Sequence, residues 1–361
     1  MNTEEKVIIV GGGLGGLRVA QKLASDFDVT VLEKEDEDKF YLKPCAKGLT
    51  PFGAKYIGEK YWEKRFSKVD IVLDGRSLDV NLTLGDLFIN PPQVLRQIAL
   101  RRKPITVTTF DRGRYLQDQL GKARKKGVTV IHNVSAKEIN FKKKIVKSSA
   151  GDFSYDILIG ADGSNSIVRK NLGYPVSGMR LISCDILNNK LPPSINPKYI
   201  QFFYKPNFYG LGALGSFPRK EHTWLGIGYF PLFCDNTYLL MNLKKHLKEL
   251  SMDYNDFPFK GSLVNTIPCP VHPKKNVWLI GDALGVASNI TGEGISYTLS
   301  SADYVSKTIL EGESSTRRLF FVGHTTARKN AQKTILRKGG AIWCLIPDYL
   351  KSGVFSALAK S

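Results

Sequence analysis

Gly11, Gly13 and Gly16 stand at the spacing Gly-x-Gly-x-x-Gly, and Glu33 follows them downstream. Each glycine has a separate task in such an arrangement. Gly11 permits a tight turn, Gly13 lets a pyrophosphate approach the backbone, and Gly16 lets helix and strand pack closely. A helix that starts within the motif offers unpaired N–H groups and a positive dipole end to phosphate oxygens. Glu33 lies at the distance expected of a carboxylate that binds ribose hydroxyls. Gly11, Gly13, Leu14, Gly15, Gly16, Glu33 and Lys34 are therefore the first candidate ligands of a dinucleotide, and this motif alone does not separate one dinucleotide from another.

Two later segments share a logic of apolar strand, glycine or alanine, aspartate and helix. One runs from Tyr155 to Gly160 and on through Ala161, Asp162, Gly163 and Ser164 to Arg169. The other runs from Val277 to Ile280, Gly281, Asp282 and Ala283, then through Gly285 to Thr291, Gly292, Glu293, Gly294 and Ile295. A carboxylate at a strand end can accept hydrogen bonds from a polyol, and the helix start beside it can face phosphate. Taken singly, either reads equally as a strand-to-helix turn capped by Asp.

The elements that must position these residues follow from periodicity. Val7 to Val10 predicts a buried parallel strand, Leu17 to Ala24 a helix, and Val29 to Leu32 a second strand. Tyr115 to Lys125 and Lys55 to Lys64 read as helices, as does Pro92 to Arg102. Val69 to Asn90 is strand-rich, and Glu221 to Tyr229 reads as a strand. The chain has 361 residues, enough for two domains.

Composition narrows the function classes. Hydrophobic residues are 42% and charged residues 24%, a globular balance. The five cysteines (Cys45, Cys184, Cys234, Cys269, Cys344) lack CxxC spacing, which argues against a disulfide framework or a zinc site. The five histidines show no metal-binding pattern, so no metal is expected. The N-terminal stretch reads without a secretory leader, and a cytoplasmic location is expected, either free or peripheral at the cytoplasmic membrane face. Lys and Arg number 52 against 33 Asp and Glu, a net charge of +19. Either a lysine-rich solvated surface or attraction to an anionic membrane accounts for that excess. Nucleic-acid binding is not expected, because no recognition motif accompanies the charge. Residues 328–360 mix basic and apolar side chains, which suits either helices docked on the fold or an interfacial segment.

The ordered set of Gly11-x-Gly13-x-x-Gly16 with Glu33, Asp162-Gly163 and Gly281-Asp282 resembles the p-hydroxybenzoate hydroxylase-like flavoprotein superfamily. Within it, Lys43-Pro44-Cys45-Ala46-Lys47-Gly48-Leu49 and the loop from Gly281-Asp282-Ala283 to Gly292-Glu293-Gly294-Ile295 resemble segments of the geranylgeranyl reductases. The resemblance implies FAD as cofactor. It implies that Glu33 binds the adenosine ribose, that Asp282 binds the ribityl chain, and that Ala161, Asp162 and Gly163 lie near the pyrophosphate. Lys43, Pro44, Cys45 and Ala46 would lie beside the flavin ring, with Cys45 on the flavin face. Arg112, with Arg114 as alternative, would lie near the FAD phosphates. Thr291, as an N-cap, together with Gly292 and Gly294 would stabilise charge on the reduced ring.

The sequence also departs from the family. Ala46 stands in place of a glycine and Asn289 in place of a proline. In the Tyr-x-Trp-x-Phe-Pro segment, Ala213 and Gly215 occupy the Tyr and Trp positions, while Phe217 and Pro218 are kept. The smaller side chains predict a differently shaped, roomier cavity. Phe202, Tyr204, Tyr209, Phe217 and Pro218 are either its lining or core of the sheet.

The implied fold is α/β: a Rossmann-like FAD-binding domain from residues 1–50, 105–175 and 275–320. A mostly antiparallel substrate domain comes from 51–104 and 176–274, and a helical C-terminal segment from 321–361. The implied function is reduction of prenyl C=C bonds in a lipid or quinone, with an external donor such as NAD(P)H or ferredoxin. An FAD monooxygenase acting on an apolar or aromatic substrate is the alternative.

Overall fold

The computed structural model describes residues 5–73, 76–81, 106–176, 178–204, 213–229, 236–287 and 292–312. The chain divides into two compact units. Among the described residues, the first draws on 5–43, 112–178 and 263–312, the second on 44–111 and 179–262.

The first unit is built on five parallel strands: β1 (Lys6–Val10), β2 (Asp28–Leu32), β3 (Thr129–Ile131), β4 (Ile157–Gly160) and β5 (Val277–Leu279). Their order is β5-β4-β1-β2-β3. Val7, Ile8, Ile9 and Val10 of β1 are all buried, as a central parallel strand covered on both faces requires. Val10 pairs with both Leu32 and Gly160, and Gly160 with Leu279, so the carboxyl ends of β2, β1, β4 and β5 finish level. The order reverses at β1, which places the ligand-binding crevice of such a sheet at that edge.

The three longest helices of this unit among the described residues are α1 (Leu14–Leu23), α2 (Arg112–Lys125) and α3 (Ile295–Glu311). Gly15 lets α1 and α3 close up, since a Cβ there would sit 2.9 Å from Thr298 Cγ2. Arg18 then reaches Asp303 with two bonds of 2.6 and 2.8 Å. Gln21 of α1 donates to the Gln119 carbonyl of α2 at 3.1 Å. A three-stranded antiparallel meander (Ala136–Asn140, Ile145–Ser148, Gly151–Ser154) adds Ile139 and Val146 to the core around Ile8, Leu158 and Leu279.

The second unit holds a seven-stranded sheet ordered 260–265, 178–187, 222–229, 213–218, 200–204, 68–73 and 76–81. The pair 200–204 with 68–73 is parallel. The pairs 178–187/222–229, 213–218/222–229, 200–204/213–218 and 68–73/76–81 are antiparallel. Leu214, Leu225, Ile227 and Phe203 form a core with Leu243 and Leu247 of the helix Asn236–Glu249. A small sheet pairs Val107–Phe110 with Gly48–Leu49 on one side and Trp62–Phe66 on the other.

The expected helix over Lys55–Lys64 is not formed. A one-turn helix Pro51–Ala54 precedes it, and its place is taken by a 3-10 turn Glu59–Tyr61 and the strand Trp62–Phe66. Thr50 caps the first by accepting from Gly53 N at 3.3 Å. Gly58 then interrupts, and pairing with Val107–Phe110 outweighs the local helical preference. The expected helix over Pro92–Arg102 and the segment 328–360 lie outside the described residues.

Candidate functional site

At the carboxyl edge of the parallel sheet the backbone of the first unit approaches itself closely. Gly11 has φ +105°, and a Cβ there would lie 2.5 Å from the Ala161 carbonyl oxygen. A Cβ on Gly16 would lie 1.9 Å from the Gly11 carbonyl oxygen. Gly13 differs from both: a Cβ there would meet nothing within 4 Å. The N-terminus of α1 begins at this open position, with Gly13 as N-cap, no side-chain cap and no acidic residue in the first turn. Its first N–H groups are therefore available to an anion.

Glu33 is buried and already anchored, accepting from Gly12 N at 2.7 Å and Glu35 N at 3.0 Å. An ionised carboxylate has about four acceptor sites, so capacity remains for hydroxyl donors. Lys34 lies beside it, ion-paired with Glu35 at 3.2 Å.

Asp162 is half-buried, and its Oδ2 accepts from Ile167 N at 2.7 Å and Val168 N at 3.3 Å. Burial pushes its pKa up, while bonds from Ser166 and the backbone N–H groups pull the other way. Its Oδ1 is buried without a hydrogen-bond partner among the described residues. Such an atom is costly unless something supplies a donor.

A second carboxylate, Asp282, gathers several predicted residues. Its Oδ2 accepts from Ser164 Oγ at 2.8 Å and Lys43 Nζ at 3.3 Å. A Cβ on Gly294 would lie 3.3 Å from its Oδ1, and one on Gly163 would lie 3.8 Å from Lys43 Nζ. Gly281 has φ +56° and Gly285 φ +77°, and the short helix Gly281–Leu284 that carries Asp282 and Ala283 ends at Gly285.

Arg112 at the start of α2 is buried and donates to the carbonyls of Tyr41 at 3.1 Å and Lys43 at 3.4 Å. The backbone that carries Lys43 is thereby fastened. Gly294 is the N-cap of α3, so the expected N-cap role of Thr291 falls away; Thr291 itself lies outside the described residues. Glu293 Oε1 accepts from Ser296 N at 3.0 Å and from the Ser296 hydroxyl. A negative side chain therefore already occupies part of the first turn of α3, which Ile295 opens, and less of its N-terminal field is left for a ligand than Gly292 and Gly294 alone suggest.

Arg169 had no assigned role from sequence. It is fully buried, and its guanidinium donates to the carbonyls of Pro175 at 2.8 Å, Ile267 at 2.8 Å and Ala283 at 3.0 Å, and to Cys269 Sγ at 3.2 Å. Burial holds its pKa below the ordinary value. It ties the helix after Asp162 to the residue after Asp282, a link between segments more than a hundred residues apart that spacing does not reveal.

Pro44, Cys45 and Ala46 belong to the second unit. Cys45 Sγ accepts from Lys47 N at 3.3 Å, and Lys47 adopts φ +56°. Around Lys47 stand Glu63, Arg219 and Asp185. Burial lowers the Lys47 pKa, with the Arg219 charge adding to the effect, and burial raises that of Glu63. Arg219 is ion-paired with Asp185.

On the sheet of this unit, Phe202 and Phe217 meet edge to face at 5.6 Å, and so do Phe217 and Trp224. Phe202 and Phe217 are half-buried and pack against Phe66, Val69, Val107 and Ile200, so they contribute to core. Tyr204 and Pro218 are buried, and Tyr209 lies outside the described residues.

The space left by Gly215 is not simply empty. Gly215 pairs across the sheet with Gly226, and Cβ atoms on the two would lie 3.6 and 2.5 Å from the Trp224 ring. An indole from the neighbouring strand thus covers both glycines, which corrects the expectation of a roomier cavity at this point. Alternation of the strand with glycines opposite each other was the available signal.

Among the described residues, no group of three or more His, Cys, Asp or Glu side chains is placed to hold a metal ion. Also among them, no helix is long and apolar enough to cross a membrane.

These features define a flavin-nucleotide-binding protein, and comparison with known proteins agrees. The family model of the FAD binding domain matches residues 4–229, and the chain belongs to that family. Its cofactor is FAD and it is an FAD-dependent oxidoreductase. The chain is 23% identical over 350 residues to the chloroplastic geranylgeranyl diphosphate reductase of Arabidopsis thaliana, covering 89% of this chain and 69% of the relative. Its structure resembles a geranylgeranyl bacteriochlorophyll reductase-like protein from Thermoplasma acidophilum, with TM-score 0.71, 16% identity and coverage of 99% and 92%. It also resembles p-nitrophenol 4-monooxygenase PnpA from Pseudomonas putida, with TM-score 0.65, 19% identity and coverage of 97% and 94%. At these identities the structural likeness is one of fold.

The residues present fit FAD. The open backbone at Gly13, the uncapped start of α1 and the unpartnered Asp162 Oδ1 are features that a pyrophosphate and its attached sugars would complete.

Proposed function

We propose that the protein reduces carbon–carbon double bonds in the prenyl chain of a lipid or quinone. The observation that carries this reading is the match to a geranylgeranyl reductase along nearly the whole chain, 89% of it.

When bound, FAD in its reduced form supplies the hydride. Addition of that hydride and of a proton across the alkene would consume two electrons per turnover, which an external donor such as NAD(P)H or ferredoxin would return. In the first unit, the α1 N-terminus at Gly13 binds phosphate, Glu33 binds the adenosine ribose, and Asp282, oriented by Ser164 and Lys43, binds the ribityl chain. Arg112 acts at one remove by fastening the Lys43 backbone. Pro44, Cys45 and Ala46 are proposed beside the flavin on resemblance alone.

A monooxygenase reading has specific support in the fold shared with PnpA. One experiment separates the two. The FAD-loaded protein is reduced anaerobically and offered a geranylgeranyl lipid. Reoxidation of the flavin with gain of hydrogen pairs in the lipid is the expected result. No reoxidation by lipid, together with oxygen-dependent hydroxylation of an aromatic substrate, refutes the reductase reading.

A further inference from the structure

A cavity of about 260 Å³ opens on the first unit beside Phe141, Lys144, Tyr155, Lys274, Lys275 and Val277. Tyr155 lies just before β4, and Val277 is the first residue of β5. The cavity is therefore at the amino edge of the parallel sheet. From Val277 to Gly281 there are four residue steps of about 3.3 Å each, on the order of 13 Å to the nucleotide edge. It belongs to a different place from the FAD residues.

Its chemistry is cationic with one buried donor. Tyr155 is 4% exposed, and its hydroxyl is buried with no hydrogen-bond partner among the described residues. Burial raises the Tyr155 pKa, so the hydroxyl keeps its proton and can donate. The backbone at this rim is ordered by Tyr155 N donating to the Lys144 carbonyl at 3.0 Å and Val277 N to the Lys274 carbonyl at 3.0 Å. Lys274 Nζ stands 5.1 Å over the Phe141 ring, which holds that ammonium at the rim. Lys144 lies 3.8 Å from Asp156 and is partly neutralised. Lys274 and Lys275 are exposed and add the remaining positive charge. Among the described residues neither has an ion-pair partner, and two such ammonium groups match a dianion better than a monoanion. Phe141 and Val277 provide an apolar wall beside it.

We propose that this cavity binds a phosphate monoester, with the phosphate between Lys274 and Lys275, the Tyr155 hydroxyl donating to it, and the organic group against Phe141 and Val277. The monoester can come from a soluble metabolite or from the headgroup of a lipid such as phosphatidic acid.

The test uses the full chain with FAD bound. Phenyl phosphate is titrated in at slightly alkaline pH, where it is dianionic, and followed by calorimetry. Saturable binding is expected, weakened about tenfold or more by Tyr155→Phe, the loss of one hydrogen bond to a charged group. The surface double variant Lys274→Ala, Lys275→Ala should weaken it at least as much. The flavin absorption spectrum should be unchanged in both, which separates a loss of this site from a loss of the cofactor. A parallel arm sediments the protein with phosphatidylcholine vesicles with and without phosphatidic acid. Phosphatidic-acid-dependent binding that Tyr155→Phe weakens supports the proposal with a lipid as the source. Phenyl phosphate binding without vesicle binding supports it with a soluble source. Absence of both, or binding that neither variant alters, overturns it.

Discussion

Gly13→Ala and Gly16→Ala separate the cost of distorting the fold from the cost of losing the nucleotide. At Gly13 an added methyl meets no protein atom within 4 Å, and φ of −73° suits alanine. The worse N-cap costs about 0.5–1 kcal/mol, and the stiffer unfolded chain returns about 0.4–1 kcal/mol. The net effect on the FAD-free protein is within about 1 kcal/mol of zero. With FAD the same methyl would stand where the phosphate is proposed to approach the α1 N–H groups. Displacing it from two charge-assisted hydrogen bonds, at about 1.5–3 kcal/mol each, weakens binding by about 3–6 kcal/mol, roughly a hundredfold to ten-thousandfold or more. At Gly16 the methyl would lie 1.9 Å from the Gly11 carbonyl oxygen. The backbone must move, and overpacking of this kind costs about 1–3 kcal/mol even without FAD. Thermal or urea unfolding of the FAD-free proteins reads the first quantity, and flavin titration reads the second. If Gly13→Ala binds FAD as the parent does, the phosphate does not lie over that residue. If Gly16→Ala is as stable as the parent, the close strand–helix approach is wrong.

Two further predictions concern the second unit. Burial, with the Asp185 carboxylate adding to it, raises the Cys184 thiol from 9.0 to about 12. The unfolded chain then releases this proton first, so stability is intact below about pH 9 and falls by about 1.4 kcal/mol per pH unit above it from this group. Urea unfolding of the parent and Cys184→Ala across this range checks it, and an equally steep decline in both refutes it. Trp224→Ala removes a nearly buried indole and costs about 3–5 kcal/mol, whereas Gly226→Ala places a methyl 2.5 Å from that ring and costs about 1–3 kcal/mol. The double variant should cost less than the sum, because removing the ring frees room for the methyl. Strict additivity in denaturant unfolding would refute the packing.

Much of the first unit was legible in the chain because its signals are local. The run Lys6–Val10, the glycine motif and α1 are contiguous, so strand, turn and helix follow from periodicity and from what glycine alone permits at a close approach. The segments at Asp162 and Asp282 carry the same local grammar, and the level strand ends bring them to one edge. The helix expected over Lys55–Lys64 failed for the opposite reason. Its residues suit a helix locally, but Trp62–Phe66 gains strand partners from Val107–Phe110, far along the chain.

By itself, then, the sequence pointed to a glycine turn suited to a nucleotide, and its family resemblance named FAD. Tertiary structure alone decided that Ser164 and Lys43 share Asp282, that Arg169 joins the two aspartate segments, and that Trp224 covers Gly215 from the next strand. Each is an interaction between residues that no local preference links. Their meeting depends on strand order and register, which are set by burying the core as a whole.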